Sequence, residues 1–259
     1  MKNIISIAVV IPCYNSAATI LSCLNSVFSQ SSNVDEIIVV DDGSTDGSDK
    51  IVIDRFDSDN SSIIKKIIYQ KNSGPSRARN CGVMVTSSTH IAFLDSDDFW
   101  FEDKIKFQKE FLEQSAEYKI IGTKYISANL DYDGPISFNR ELYKNFFLTP
   151  CVIIEKACFI QCGGFNEDMK YAEDYYLWLK VLFDFKGYLL DYVGAANLEE
   201  KRIFGEKGLS SNLREMHLGV VLCLKMLYME RKISIAKYYL LQCWEYVKFS
   251  RRHLISLQS

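Results

Sequence analysis

The sequence predicts an α/β protein: a mostly parallel sheet flanked by helices, followed by a C-terminal helical extension. Three observations carry this. Short β-branched runs and amphipathic segments alternate four times between Ile4 and Leu94, the rhythm of right-handed β–α–β crossovers. The runs are apolar nearly throughout, as in strands covered on both faces. From Leu213 onward the apolar residues recur at helical spacing instead.

The elements follow in order. Ile4 to Ile11 has one polar residue, Ser6, and reads as the first strand, ended by Pro12. Ala17 to Gln30 repeats Ala17, Ile20, Leu21, Leu24, Val27 and Phe28 on one helical face. Glu36 to Val40 and Ile63 to Tyr69 are strands, with a helix over Asp46 to Phe56 between them. Ser73-Gly74-Pro75 is a turn whose proline suits a first helical position, and the helix it opens carries Arg77, Arg79 and Asn80. His90 to Leu94 is the fourth strand. A helix over Glu102 to Gln114 continues the core, and residues 120–150 read as short strands and a turn-rich loop. Thr149 to Ile154 reads as a strand, and a buried helix opens at Glu173-Asp174. Two helical stripes close the chain: Leu213 to Tyr228, then Ala236, Leu240, Cys243, Trp244 and Val247, with a turn at Glu230-Arg231-Lys232.

Composition narrows the function. The 259 residues carry a net charge of −3, without the basic excess that bulk nucleic-acid binding needs. The eight cysteines form no CxxC pair and sit mostly among apolar neighbours, which reads as reduced, buried thiols in a cytoplasmic protein. The first apolar run lacks the length and cleavage site of a secretory signal, and no run reaches the ~18 apolar residues of a membrane span.

Three polar clusters follow strands: Pro12 to Asn15, Asp41-Asp42, and Asp95-Ser96-Asp97-Asp98. In an open parallel sheet these positions share the carboxyl edge, where ligands collect. Three carboxylates in four positions repel one another, a cost a divalent cation offsets. The other reading of Asp95 to Asp98 is a solvated turn capping the next helix. Tyr14 either stacks on a base or packs half-buried, and Arg77 and Arg79 alone read as a solvated helix face. Asp174 stands in the first turn of its helix, where acidic residues are also favoured by the helix dipole alone.

The series Ile11-Pro12-Cys13-Tyr14-Asn15, Val40-Asp41-Asp42-Gly43-Ser44-Thr45-Asp46, Asn72 to Asn80 and Leu94-Asp95-Ser96-Asp97-Asp98 resembles the family 2 inverting glycosyltransferases of GT-A fold. The likeness is dense over residues 4 to 110 and returns at Cys162 to Glu167 and at Glu173-Asp174. It implies a GT-A sheet with nucleotide-binding and acceptor-binding halves over 1–98 and 99–208; the helical tail over 209–259 lies outside the resemblance. It further implies that Pro12 and Tyr14 border a uracil, and that Asp42 and Arg77 contact the base while Asp41 supports their loop. Asp95 would lie by the ribose, Asp97 would ligate Mn²⁺ or Mg²⁺, and Asp174 would be the general base. Asp98 would either join the metal shell or cap the next helix, and Cys13 has no implied role. Arg202 or Lys207 would either close over the diphosphate or belong to a solvated charged loop.

The partners implied are a UDP-sugar donor and a glycan or lipid-linked acceptor, in bacterial surface-polysaccharide synthesis. The rival readings are an inactive nucleotide-sugar-binding scaffold and a nucleotidyltransferase; the latter wants a glycine-rich N-terminal loop that Ile11 to Ser16 does not offer. The basic, aromatic C-terminal helices either rest on an anionic membrane surface or pack on the catalytic domain or a partner subunit.

Overall fold

A computed structural model describes residues 5–128, 130–198 and 212–256. Its first half is the alternation the sequence predicts: β1 (Ile7–Cys13), α1 (Ile20–Phe28), β2 (Glu36–Asp41), α2 (Ser48–Asp57), β3 (Ile64–Tyr69), α3 (Pro75–Val85) and β4 (His90–Phe93). Next come β5 (Asp98–Trp100), α4 (Lys104–Gln114), β6 (Tyr118–Tyr125), β7 (Gly134–Ile136) and the short α5 (Phe138–Glu141). A 3₁₀ turn at Thr149–Cys151 leads into β8 (Val152–Glu155), α6 (Lys156–Gln161), α7 (Glu173–Asp184) and β9 (Lys186–Asn197). The tail is a hairpin of α8 (Leu213–Met229) and α9 (Ile235–Ser256).

All strands belong to one sheet in the order β3-β2-β1-β4-β8-β6-β9-β5, with β7 added on β9. The pairs among β3, β2, β1 and β4 are parallel. Beyond β4 the sheet is mixed, because β8 runs antiparallel to both of its neighbours. Side chains of β1 alternate between two cores. Ile7, Val9 and Ile11 pack with Leu24 and Val27 of α1, Val52 of α2 and Ile105 of α4. Ala8 and Val10 pack with Ala78 of α3 and Leu177 and Trp178 of α7. A third cluster joins α7 to the hairpin through Tyr175, Leu179, Cys223, Leu224, Leu227 and Leu241.

Three expectations need correction. The first strand does not end at Pro12 but runs through it to Cys13. β4 pairs with β1 only as far as Val10, so on that flank Pro12 has no neighbour needing its missing N–H. Thr149 to Cys151 is a 3₁₀ turn rather than strand, closed by Cys151 N–H donating to Leu148 O at 2.8 Å. Asp98 does not cap the next helix: α4 has Asp103 at its N-cap, and Asp98 opens β5, paired with Asn197 of β9. The cysteines are all free and six are buried, as the sequence predicts.

Candidate active site

The loops beyond the carboxyl ends of β1, β2 and β4 are tied together before any ligand arrives. Asn15 adopts a left-handed conformation (φ 48°), uncommon outside glycine. Its N–H donates to Ser44 Oγ at 3.0 Å, and its Oδ1 accepts from Thr45 N–H at 2.9 Å. Ser16 Oγ lies 2.7 Å from Ser96 Oγ, which fixes the β1 loop to the acidic loop. Asp41 is buried, and its Oδ1 accepts from Ser44 N–H at 2.7 Å. Asp42, also buried, accepts from Gln70 Nε2 (2.7 Å), Ser73 N–H (2.8 Å) and Gly74 N–H (2.8 Å). Asp42 thus holds the entry to α3 against the end of β2.

The acidic loop divides its carboxylates. Asp95 Oδ1 accepts from Arg79 Nη2 at 2.6 Å. Asp97 is exposed, with Asn197 Nδ2 at 3.4 Å from its Oδ2. Asp98 is buried and accepts from Tyr125 Oη (2.7 Å) and Asn197 Nδ2 (3.1 Å). Burial, then the charges of Asp95 and Asp97, push the Asp98 carboxyl up to about 8 despite those donors.

Arg79 connects this loop to the other half of the molecule. It projects from α3, whose Gly82 allows close packing: a Cβ there would lie 2.4 Å from Val10 Cγ1. The guanidinium is buried, with Nη2 on Asp95 and Nη1 3.3 Å from Glu173 Oε1. Burial alone would lower its pKa, but the two carboxylates more than reverse this and raise it. Glu173 opens α7, immediately after Ala172, whose left-handed φ of 59° is unusual for a residue with a Cβ. Burial and the neighbouring Asp174 charge push Glu173 up to about 7, against the pull of Arg79. Burial likewise raises the Asp174 pKa, opposed by Tyr175 N–H (2.7 Å), by the Arg79 charge and by Thr149 Oγ1, 3.3 Å from its Oδ2. A carboxylate held above its ordinary range is suited to accept a proton near neutral pH.

Of the residues singled out in the sequence, Asp41, Asp42 and Asp95 meet in this hydrogen-bonded set, and the Arg79 bridge carries it to the helix of Asp174. Pro12 is buried within β1, and Tyr14 stands 51% exposed beyond it. Arg77 is exposed and lines a cleft of about 430 Å³ with Gln70, Ser73, Asn80 and Glu167. Arg202 and Lys207 lie outside the described residues. Arg79 is not the solvated residue its charge suggested. Its spacing from Ser76 and Val83, both buried, is the signal that places it on the inner face of α3. Asn197 and Tyr125 carry no local signal, since each reaches Asp98 from a distant strand.

Among the described residues, no group of three or more His, Cys, Asp or Glu side chains is placed to hold a metal. The acidic loop nevertheless fits a hard divalent ion. Asp97 is accessible, the charge crowding it and Asp95 into Asp98 is left in excess, and such ions take one or two carboxylates with phosphate oxygens completing the shell.

Comparisons with known proteins agree with this geometry. The model of glycosyl transferase family 2 matches residues 8–166. An Escherichia coli protein, UDP-Glc:alpha-D-GlcNAc-diphosphoundecaprenol beta-1,3-glucosyltransferase WfaP, is 33% identical over 182 residues, covering 68% of this chain and 70% of that one. An uncharacterized glycosyltransferase of Rickettsia bellii is 30% identical over 187 residues; the match covers 68% of this chain but only 26% of that longer protein. Among solved structures, S. aureus TarS 1–349 in complex with UDP-GlcNAc gives a TM-score of 0.73 at 21% identity, covering 96% of this chain and 72% of that one. A mannosyltransferase of Pyrobaculum calidifontis in complex with GDP-Man and Mn²⁺ gives 0.69 at 16% identity, covering 86% and 64%. The sheet, the loops at its carboxyl edge and the family match lead to one assignment: the chain belongs to glycosyl transferase family 2.

Proposed function

We propose that this chain is a metal-dependent, inverting glycosyltransferase that moves a sugar from UDP to a hydroxyl of a lipid-linked acceptor in bacterial surface-polysaccharide synthesis, working at the cytoplasmic face of the membrane. The observation that carries the reading is the Arg79 bridge, which joins Asp95 of the acidic loop to Glu173 beside Asp174. It sets the loop at the end of β4 against the start of α7, and a single-displacement transfer needs donor and base facing each other.

Asp174 takes the proton of the acceptor hydroxyl. The freed oxygen forms a bond to the anomeric carbon as the bond from that carbon to the diphosphate oxygen breaks, and its electron pair leaves with UDP. Attack from the face opposite the nucleotide inverts the centre and needs only this one base. Tyr14 and Asp42 flank the uracil, with Pro12 shaping the floor and Asp41 bracing the loop. Arg77 meets the base edge from α3, and Asp95 meets the ribose. Asp97 would hold Mn²⁺ or Mg²⁺, which when bound supplies the positive charge that stabilises the departing diphosphate. The donor of WfaP, the acceptor it acts on and the ligand in the TarS complex support UDP and a lipid diphosphate here.

The test is a panel of nucleotide sugars incubated with manganese, scoring released UDP with and without acceptor lipid. UDP-sugars give metal-dependent turnover, and Asp97→Ala abolishes it. Equal release from GDP-sugars, or full activity in chelator, overturns the donor or the metal assignment respectively.

A further inference from the structure

The catalytic reading leaves the outer surface of α9 unexplained. Surface helices normally turn apolar residues inward and charge outward; α9 carries apolar residues on both faces. Its inward positions include Leu241 and Glu245, and the Glu245 carboxylate is held by Lys248 (2.5 Å) and Arg252 (2.6 Å). Its outward positions carry Tyr239, Leu240, Trp244, Tyr246 and Val247, with Trp244 44%, Tyr246 65% and Val247 59% exposed. The Leu240, Trp244 and Val247 stripe is therefore largely exposed, with Trp244 Nε1 reaching back to Tyr143 O at 3.4 Å. With Tyr143 it lines an apolar groove of about 500 Å³. On α8, Leu218, Leu222 and Met229 are also exposed, together with Arg214 and Lys225.

Charge decides what covers this face. Between Ile235 and Ser256 there are four Lys or Arg residues and one acid, the inward Glu245, in a chain that is otherwise net acidic. Exposed Trp, Tyr and aliphatic side chains beside Arg251, with no outward carboxylate on the helix, match an anionic headgroup layer. A second copy seated here by two-fold symmetry would set the same basic residues against each other. No described helix is long and apolar enough to cross a membrane, so the complementary arrangement is a helix lying on one.

We propose that the outer face of α9 docks the protein on an anionic lipid bilayer, Trp244 and its apolar neighbours entering the headgroup–acyl boundary and Arg251 meeting lipid phosphate. The reading deepens the proposed function by bringing the site to a membrane-borne acceptor, but its test uses no turnover, so either can fail alone.

The full chain is mixed with vesicles of phosphatidylcholine alone and of phosphatidylcholine with phosphatidylglycerol. The protein sediments with the anionic vesicles, less so as salt rises, and tryptophan emission shifts to the blue. Trp100 and Trp178 are buried, so the shift reports Trp244. Leu240→Ser with Trp244→Ser and Val247→Ser lowers partitioning at least tenfold, and Arg251→Glu lowers it by about fivefold or more. Far-UV circular dichroism and the melting temperature, measured on each variant, show that the fold is kept. Three results overturn the proposal: no binding to anionic vesicles, unchanged binding by the triple variant, or a dimer of the native chain that the triple variant dissolves.

Discussion

Buried carboxylates stand at opposite ends of the same sheet, one at the amino end and several at the carboxyl end. At the amino end, Glu36 opens β2, where Thr86 Oγ1 (2.6 Å), Ser87 N–H (3.0 Å), Ser88 N–H (2.8 Å), Ser88 Oγ (2.7 Å) and Lys66 Nζ (2.9 Å) all donate to it. Burial alone would raise its pKa, but these donors carry it down to about 2. At the carboxyl end, Asp98, Glu173 and Asp174 have fewer donors and more like-charged neighbours, and all three are raised. Burial is common to both ends; the supply of donors differs. A carboxylate whose lone pairs are filled by its own chain, as those of Glu36 are, stays charged and serves the fold. One left short retains its appetite for a proton or a cation, which is what an active site needs.

The contrast can be broken most forcefully at Asp174. Asp174→Asn keeps the shape and removes the proton acceptor, so sugar transfer at saturating donor falls by ~10³-fold, about 4 kcal/mol of barrier, while the melting temperature holds. Unchanged transfer would falsify the base assignment. The native rate also falls as pH drops through the raised pKa of Asp174, because the protonated acid cannot accept the acceptor's proton. The acidic limb of the rate profile therefore lies above the ordinary aspartate value of 3.8.

Next in size is Arg79→Ala, which leaves the Asp95 and Glu173 carboxylates without the cation that pairs them. Chemical denaturation should show a loss of ~3–5 kcal/mol, with transfer impaired in the molecules that remain folded. At the other end of the sheet, Glu36→Gln should cost about 3 kcal/mol at neutral pH and leave the rate per folded molecule unchanged. The sign follows from the lowered pKa: the stabilisation is present above the unfolded value of 4.5 and is lost as pH falls toward about 2. Native and variant stabilities measured across that range should converge. The smallest effect is at Thr149, whose hydroxyl donates to Asp174. Thr149→Val removes one hydrogen bond, ~1 kcal/mol, read as a rate change of a few fold with an acidic limb moved upward.

Much of the parallel half was legible because its strands and helices are consecutive and each reports itself by local periodicity. The mixed half was not. β6 pairs with β9 across a long separation and with register shifts, so residues 120–150 show no pattern that names a partner. The acidic loop and the Glu173-Asp174 pair were visible because charges at element ends stand out against apolar runs. Arg79 was misjudged because its solvation depends on two carboxylates that only folding brings to it. For α9 the stripe is legible and its direction is not, since helical spacing marks a face without saying which way it points.

Gly219 of α8 links the tail to the reaction. A methyl group there would come within 2.7 Å of Tyr171 O, so the helix lies directly on the residue before left-handed Ala172. The hairpin lies beyond the residues that the family match spans, yet it leans on the segment that leads into Glu173 and Asp174. A chimera that borrows another protein's tail must bring a glycine to this spot, or the start of α7 will be displaced.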